Sequence, residues 1–160
     1  MYLEGAKALA AMISLASGAH KYQFDKGGNP YILHPLTVMR LNPDFDFDQK
    51  CMAVGHDLIE DTWVTESHLW DYKFNSRVIS GIVALTKIEG ESYEIYKNRV
   101  KANPDAVKVK MCDLTHNSDI TRLKGVTEKD FERIKKYHLF YTELKAIDRP
   151  WKDAFDGLRQ

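Results

Sequence analysis

The chain has 160 residues, close to the commonest size of a single domain, and its 44% hydrophobic content is enough for one sizeable core. Lysine plus arginine and aspartate plus glutamate both number 23, so the formal net charge is zero and no field of one sign favours nucleic acid or a membrane surface as partner. Two cysteines without C-x-x-C spacing give neither a disulfide scaffold nor a structural zinc site, and they read as buried free thiols in a reducing cytoplasm.

The periodicity predicts helices throughout. The opening Met1-Tyr2-Leu3-Glu4-Gly5-Ala6-Lys7 has no long apolar run, so neither a signal peptide nor a membrane span is expected. A long alanine-rich helix is expected over Leu3–Gln23, followed by a loop, Asp25-Lys26-Gly27-Gly28-Asn29-Pro30, whose glycines let backbone approach a ligand closely. Next come Pro35–Leu41, with proline at the first helical position, and Phe47–Asp61. A short Glu66–Tyr72 helix opened by Thr65 precedes Ser76–Lys87, whose Val78, Ile79, Ile82, Val83 and Leu85 form an apolar face. Ser92–Ala102 and Asp105–Asp119 follow, and a last long helix runs over Glu128–Ile147 from the N-cap Thr127. Arg149-Pro150 breaks it, leaving Trp151–Gln160 as a tail with helix-forming character. No alternating strand pattern or repeat is present, so the expected fold is all-α: one domain over residues 1–150 and a tail over 151–160.

The densest chemistry lies in His56-Asp57-Leu58-Ile59-Glu60-Asp61-Thr62, which puts one histidine and three carboxylates in a segment that otherwise reads as helix. Residues three and four apart share a helix face, so Glu60 falls below His56 and Asp61 below Asp57. An isolated His-Asp pair is usually a charged helix end. Here it has partners: His34, just before Pro35, and Asp113, on a helical stretch with Asn117 one turn further on. Two imidazoles and two carboxylates suit a borderline-to-hard divalent ion such as manganese, iron or cobalt, and suit a structural zinc site poorly. Glu60, near the ion without binding it, has the character of a general base for water. Asp61 can hold that water, or can cap the turn at Thr65. Lys21, Lys26, Lys108, Lys110, Arg122 and Lys124 are the candidates for a basic substrate pocket, although each is commonly an ordinary surface residue. His20 and His116 read as packing residues, and Phe24 or Tyr31 beside the glycine loop as contacts for a base.

Three segments, Gly28-Asn29-Pro30-Tyr31-Ile32-Leu33-His34-Pro35, the His56–Thr62 run and Lys110-Met111-Cys112-Asp113-Leu114-Thr115-His116-Asn117, occur in an order that resembles a known family. The chain is similar to the HD-type hydrolase domain of the RelA/SpoT homologues, in particular to their small stand-alone members of the metazoan SpoT type. That resemblance implies an all-helical, metal-dependent hydrolase. It would remove the 3′-pyrophosphate from a purine alarmone of the stringent-response type, (p)ppGpp, to give the 5′-nucleotide and pyrophosphate. It makes His34, His56, Asp57 and Asp113 the ligands, usually of manganese, with iron or cobalt as alternatives, and Glu60 and Asp61 the pair that activates water. It places Lys26, Asn117 and the position of Asp25 at the substrate. Where the family has an arginine that stacks on the purine, this chain has Asp25, and a carboxylate cannot lay a guanidinium plane on a base. Base preference therefore stays open, and a (p)ppApp hydrolase or an NADPH 2′-phosphatase on the same scaffold are the alternatives. A non-catalytic nucleotide-binding regulator is a third reading, against which the intact water-activating pair argues. The expected partner is a small-molecule nucleotide, with neither DNA, RNA nor membrane, and the oligomeric state is left open.

Overall fold

Short polar residues set where the helices of this chain begin. The computed structural model describes residues 1–148. Its elements in chain order are α1 (Gly5–Ala19), α2 (Leu33–Leu41), α3 (Phe47–Gly55), α4 (Leu58–Asp61), α5 (Glu66–Asp71), α6 (Ser76–Leu85), α7 (Tyr93–Lys101), α8 (Pro104–Asn117), a 3-10 turn (Ile120–Arg122) and α9 (Glu128–Ile147). Asp46 accepts the Gln49 N–H at 2.9 Å while Gln49 Oε1 accepts the Asp46 N–H at 3.1 Å, a reciprocal cap that fixes the start of α3. Asn75, Ser92 and Asn103 cap α6, α7 and α8 through side-chain oxygens. Among the described residues there is no β-strand, only one isolated bridge between Phe24 and Pro30 that closes the glycine loop.

The core is organised around α3, which packs on α1, α2, α6 and α8. Cys51, Met52, Ala53, Val54 and Gly55 are all buried, and they divide between two apolar clusters. Cys51 and Val54 join Met12, Leu15, Leu58, Ile79 and Ile82 on one side. Met52 and Ala53 join Val38, Val107, Leu114, Phe140 and Leu144 on the other. A helix apolar all round belongs at the centre of a bundle. A fully buried apolar side chain such as Met52 or Val54 contributes about 1.5–3 kcal/mol, and α3 is thereby a suitable base for a rigid site.

Several boundaries differ from the sequence-based expectation. α1 ends at Ala19 instead of Gln23, because His20 turns inward, 2% exposed, and packs on Tyr31 at 4.9 Å between ring centroids. The turn it begins carries Gln23 Nε2 to the Asp61 carbonyl at 2.6 Å. α2 begins two residues earlier than expected, with Leu33 N–H donating to Pro30 C=O, so His34 lies within the first turn. Pro35 is tolerated there because first-turn N–H groups have no helical acceptor. The expected helix over Phe47–Asp61 is broken into α3 and α4 at His56-Asp57, with Asp57 at φ −99°, ψ 0°. α6 and α8 each end two residues early, at Leu85 and Asn117. The Glu128–Ile147 helix has the expected bounds, whereas Arg149-Pro150 and the tail over 151–160 lie outside the described residues. No helix among those described is long and apolar enough to cross a membrane.

Candidate metal centre and the cavity beside it

His56 (φ −61°, ψ −29°) and Asp57 both keep right-handed helical backbone angles at the junction of α3 and α4. Neighbouring side chains on a helix point about 100° apart, yet Asp57 Oδ2 comes within 3.0 Å of His56 Nε2. His34, from the first turn of α2, brings its Nε2 to 3.1 Å from Asp113 Oδ1 and 3.6 Å from Asp57 Oδ2. Asp113, on α8, lies 3.5 Å from His56 Nε2 through the same oxygen. The ligand atoms of His34, His56 and Asp113 all fall within 4.8 Å of one another, and all three residues are buried. Asp57 joins them at the solvent side, so the four residues expected as ligands are gathered from α2, the α3–α4 break and α8.

The donors fit a cation. His56 Nδ1 lies 2.8 Å from the Ala53 carbonyl, which can only accept, so that nitrogen carries the proton. Nε2 is fully buried among carboxylate oxygens without a well-directed hydrogen-bond partner, and can offer its lone pair to a cation or hold a proton in the cation's place. Burial by itself would lower the His56 pKa, yet Asp57 and Asp113 hold it well above the ordinary histidine range. Burial likewise opposes the charge on both acids, but His56 holds Asp57 down at about 2, and Lys110 with the two histidines holds Asp113 well below the usual range. Anionic oxygens and lone pairs facing one another in a buried pocket call for positive charge, which a divalent ion supplies.

Each ligand is held from behind. Tyr31 Oη donates to Asp57 Oδ2 at 2.6 Å. Asn117 Nδ2 donates to Asp113 Oδ1 at 2.6 Å and Lys110 Nζ donates to Asp113 Oδ2 at 2.7 Å. His34 Nδ1 meets His116 Nδ1 at 2.7 Å, with the rings stacked at 5.0 Å and 9°. Burial, with Arg122 and His34 nearby, keeps His116 down at about 4, so it is neutral at pH 7 and can accept. A His34 that binds an ion through Nε2 has its proton on Nδ1 and donates to His116.

Glu60 and Asp61 sit on α4 at the exposed rim. Partial burial, opposed for Glu60 by the Lys87 N–H, and the charge of Asp57 push both carboxyls above their ordinary range. Glu60 Oε2 accepts the Lys87 N–H at 2.8 Å, which leaves Oε1 for a proton. At Thr65 the capping partner is His68, whose Nδ1 accepts the Thr65 N–H at 3.0 Å, so the alternative of Asp61 as a cap for that turn is not what the structure has.

A cavity of about 250 Å³ opens on the His34 side of the cluster, and Asn117 and Tyr137 line it as well. One wall is the glycine loop. Its backbone folds back with Gly28 N–H donating to Asp25 C=O, and Gly28 at φ +87° takes a conformation that favours glycine. The other wall is the segment after α8 together with Arg133 on α9. The loop is pressed against that segment: a Cβ on Gly27 would lie 2.7 Å from the Arg122 carbonyl oxygen. Lys26, as expected, faces the cavity. Asp25 does too, but its Oδ1 accepts the Asn29 N–H at 2.8 Å and its Oδ2 lies 3.4 Å from Arg122 Nη2, so both oxygens are already engaged. Lys110, one of the candidate pocket cations, is paired with Asp113 from behind instead, and Lys108 lines a different cavity. Tyr31, His116 and Arg133 are the residues the sequence reading undervalued. Tyr31 and His116 lie inside the family-like segments, and a search for hydrogen-bond partners one turn from each ligand would have reached His116. Arg133 carries no local signal.

No family model matches the chain. Curated relatives do. The chain is 32% identical over 114 residues to a GTP pyrophosphokinase of Myxococcus xanthus, covering 61% of this chain and 15% of the relative. It is 31% identical over 116 residues to a guanosine-3′,5′-bis(diphosphate) 3′-pyrophosphohydrolase of Haemophilus influenzae, covering 64% of this chain and 17% of the relative. An enzyme of the same name from Borreliella burgdorferi is 28% identical over 143 residues, covering 81% and 21%. The chain thus spans about a fifth or less of the length of these relatives. Among solved structures it shares its fold with a metazoan orthologue of SpoT described as hydrolysing ppGpp, at a TM-score of 0.71 and 19% identity, covering 92% of this chain and 88% of that one. The chain is thus similar in sequence to one part of these relatives, and it shares the helical fold of the SpoT orthologue.

Proposed function

We propose that the protein is a metal-dependent hydrolase that removes the 3′-pyrophosphate of a purine alarmone of the (p)ppGpp type, leaving the 5′-nucleotide and pyrophosphate. The observation that carries the metal-dependent part is the unpartnered Nε2 of His56, buried among the oxygens of Asp57 and Asp113 and facing His34. The substrate class is supported by the names of the relatives and of the structural neighbour. His34, His56, Asp57 and Asp113 would hold the ion, manganese before iron or cobalt. When bound, such an ion polarises a phosphoryl oxygen and lowers the pKa of water towards neutrality.

The chain's own residues supply the rest. Glu60, raised above its ordinary range and with one oxygen free, accepts a proton from the attacking water. Asp61, one turn below Asp57, holds that water in line. Lys26 neutralises phosphate oxygens in the cavity, and Asn117, while steadying Asp113, presents its remaining N–H to the ribose. Lys110, partly buried behind Asp113, keeps it anionic, so that the ligand set does not lose charge when a polyanion arrives.

The test is a panel of ppGpp, ppApp, NADPH and simple nucleoside triphosphates offered to the Mn²⁺-loaded protein, to the chelated protein and to Asp57→Ala. The expected result is release of pyrophosphate from ppGpp or ppApp by the loaded wild type alone. Undiminished turnover after exhaustive chelation sinks the mechanism, and release of orthophosphate from NADPH in preference to pyrophosphate from either alarmone replaces the substrate class.

A further inference from the structure

The cavity carries three cations, and their counter-ions are distributed unequally. Lys26 Nζ and Arg133 Nη2 share one carboxylate, with Asp130 Oδ1 3.4 Å from the first and 2.9 Å from the second, so two positive charges meet one negative. Arg122 stands the other way round. Its Nη2 lies 3.4 Å from Asp25 Oδ2, and its charge also bears on Asp119, the next acid along the same wall. One positive charge there meets two negative ones. The Lys26–Arg133 pair therefore carries a surplus of positive charge over its paired carboxylate, which Arg122 with Asp25 and Asp119 does not.

A nucleotide brings two unlike parts to such a cavity. Its phosphates need surplus positive charge, which the Lys26–Arg133 end has and the Arg122 end lacks, because an anion there would face Asp25 and Asp119. Its base is neutral and planar, and is indifferent to those carboxylates. Arg122 is also fixed in orientation: Nη1 donates to the His116 carbonyl at 2.9 Å while Nη2 is held by Asp25. A guanidinium pinned at both terminal nitrogens presents a flat face as its adaptable surface, and such a face stacks on aromatic rings. Phe24, at the same cavity and 64% exposed, offers a second plane.

We propose that Arg122 is the nucleobase platform of this cavity, pinned by Asp25 and the His116 carbonyl, and that Lys26 with Arg133 takes the phosphates. The proposal rests on the nucleotide reading above and adds which end of the cavity takes which end of the ligand. Asp25 then acts as the residue that sets the plane of Arg122, and not as a hydrogen-bond acceptor for the base.

Equilibrium binding separates plane from charge. GDP, ADP and inorganic pyrophosphate are titrated by calorimetry into the metal-loaded full chain, for wild type, Arg122→Lys, Arg122→Leu, Asp25→Asn and Lys26→Gln. Arg122→Lys and Arg122→Leu should both weaken GDP and ADP by about tenfold, or about 1.4 kcal/mol, while pyrophosphate affinity stays within about twofold; that retained affinity also certifies the fold of each variant. Asp25→Asn should lose part of the nucleotide affinity, and Lys26→Gln should weaken all three ligands. Full nucleotide affinity in Arg122→Lys overturns the proposal, because charge alone would then suffice. An equal loss of pyrophosphate and nucleotide in Arg122→Leu also overturns it, by making Arg122 a phosphate ligand. Since none of the three probes is turned over, a wild type that binds them as expected yet hydrolyses no alarmone leaves the platform standing and removes the proposed reaction. A wild type that binds none of them removes both.

Discussion

At the ligand cluster, every side chain that faces the centre is held by another behind it: Tyr31 behind Asp57, Asn117 and Lys110 behind Asp113, His116 behind His34 and the Ala53 carbonyl behind His56. The cavity wall a few residues away is joined by ion pairs at 3.4 Å from the glycine loop to α9 and to the segment after α8, with the Lys26 side chain 64% exposed. The first region is buried on helices packed around α3; the second lies on the glycine loop and the segment after α8. The difference teaches that the two tasks of one site tolerate change differently. A ligand must be placed to a fraction of an ångström, and buried helices with supporting hydrogen bonds do that. A recognition surface can be rebuilt residue by residue in loops whose ion pairs contribute little to stability.

The sharpest way to break the comparison is to remove one partner of the buried pair behind the centre. Asp113→Ala should abolish activity and also destabilise the fold by about 3 kcal/mol, because Lys110, its side chain 16% exposed, is left without its counter-charge. Urea unfolding of Asp113→Ala, and of a double variant carrying Asp113→Leu with Lys110→Met, checks this. The double variant should recover most of the stability and none of the activity. If Asp113→Ala is no less stable than Asp25→Ala, the contrast between the two regions is wrong.

Next in size is Glu60→Gln, which keeps shape and removes the base. Its kcat should fall by on the order of 10²–10⁴ with bound metal unchanged by elemental analysis. Recovery of kcat with excess Mn²⁺ would reassign Glu60 as a ligand.

A smaller effect is expected behind His34. His116→Ala should weaken metal affinity by about 10–100-fold without changing thermal stability as much as Asp113→Ala does. His116→Asn, whose side-chain carbonyl can still accept from His34 Nδ1, should restore much of it. Equal metal affinities in wild type and His116→Ala, measured by competition with a chelating dye, would return His116 to a packing role.

The smallest effect belongs to a clasp far from the site. Arg77 Nε lies 2.8 Å from Asp105 Oδ2, and its hydrogen bonds hold the Asp105 carboxyl below the ordinary 3.8. A carboxyl depressed in the folded state stabilises above its unfolded pKa and loses that contribution as pH falls through the folded one. Stability should thus be flat in this respect from neutrality down to about pH 4 and fall below it, and Asp105→Asn should flatten that acid limb at a cost under about 1 kcal/mol at pH 7. An acid limb that is identical in the variant assigns it to other carboxyls.

Much of the fold was legible because caps and apolar periodicity are local signals. Thr127 and the run after it define α9 to the residue, and Asp46, Asn75 and Ser92 mark true helix starts. What misled was continuity. The apolar pattern from Phe47 to Ile59 runs on through His56-Asp57, and nothing within that segment says the helix must open there. His34 on α2 and Asp113 on α8, which meet His56 and Asp57 there, lie far away in the sequence.

By itself the sequence determined the helical class, the central helix and the residue types able to hold a divalent ion, since these depend on spacing within short segments. Only the tertiary structure decided which side chains stand behind the ligands, that Lys110 pairs with Asp113 while Lys26 reaches the cavity, and that Asp25 is paired with Arg122 across 97 residues of chain. Such partners are set by how helices cross and how loops close over them. Contacts of that kind lie far apart in sequence and leave no periodic trace for a local reading to find.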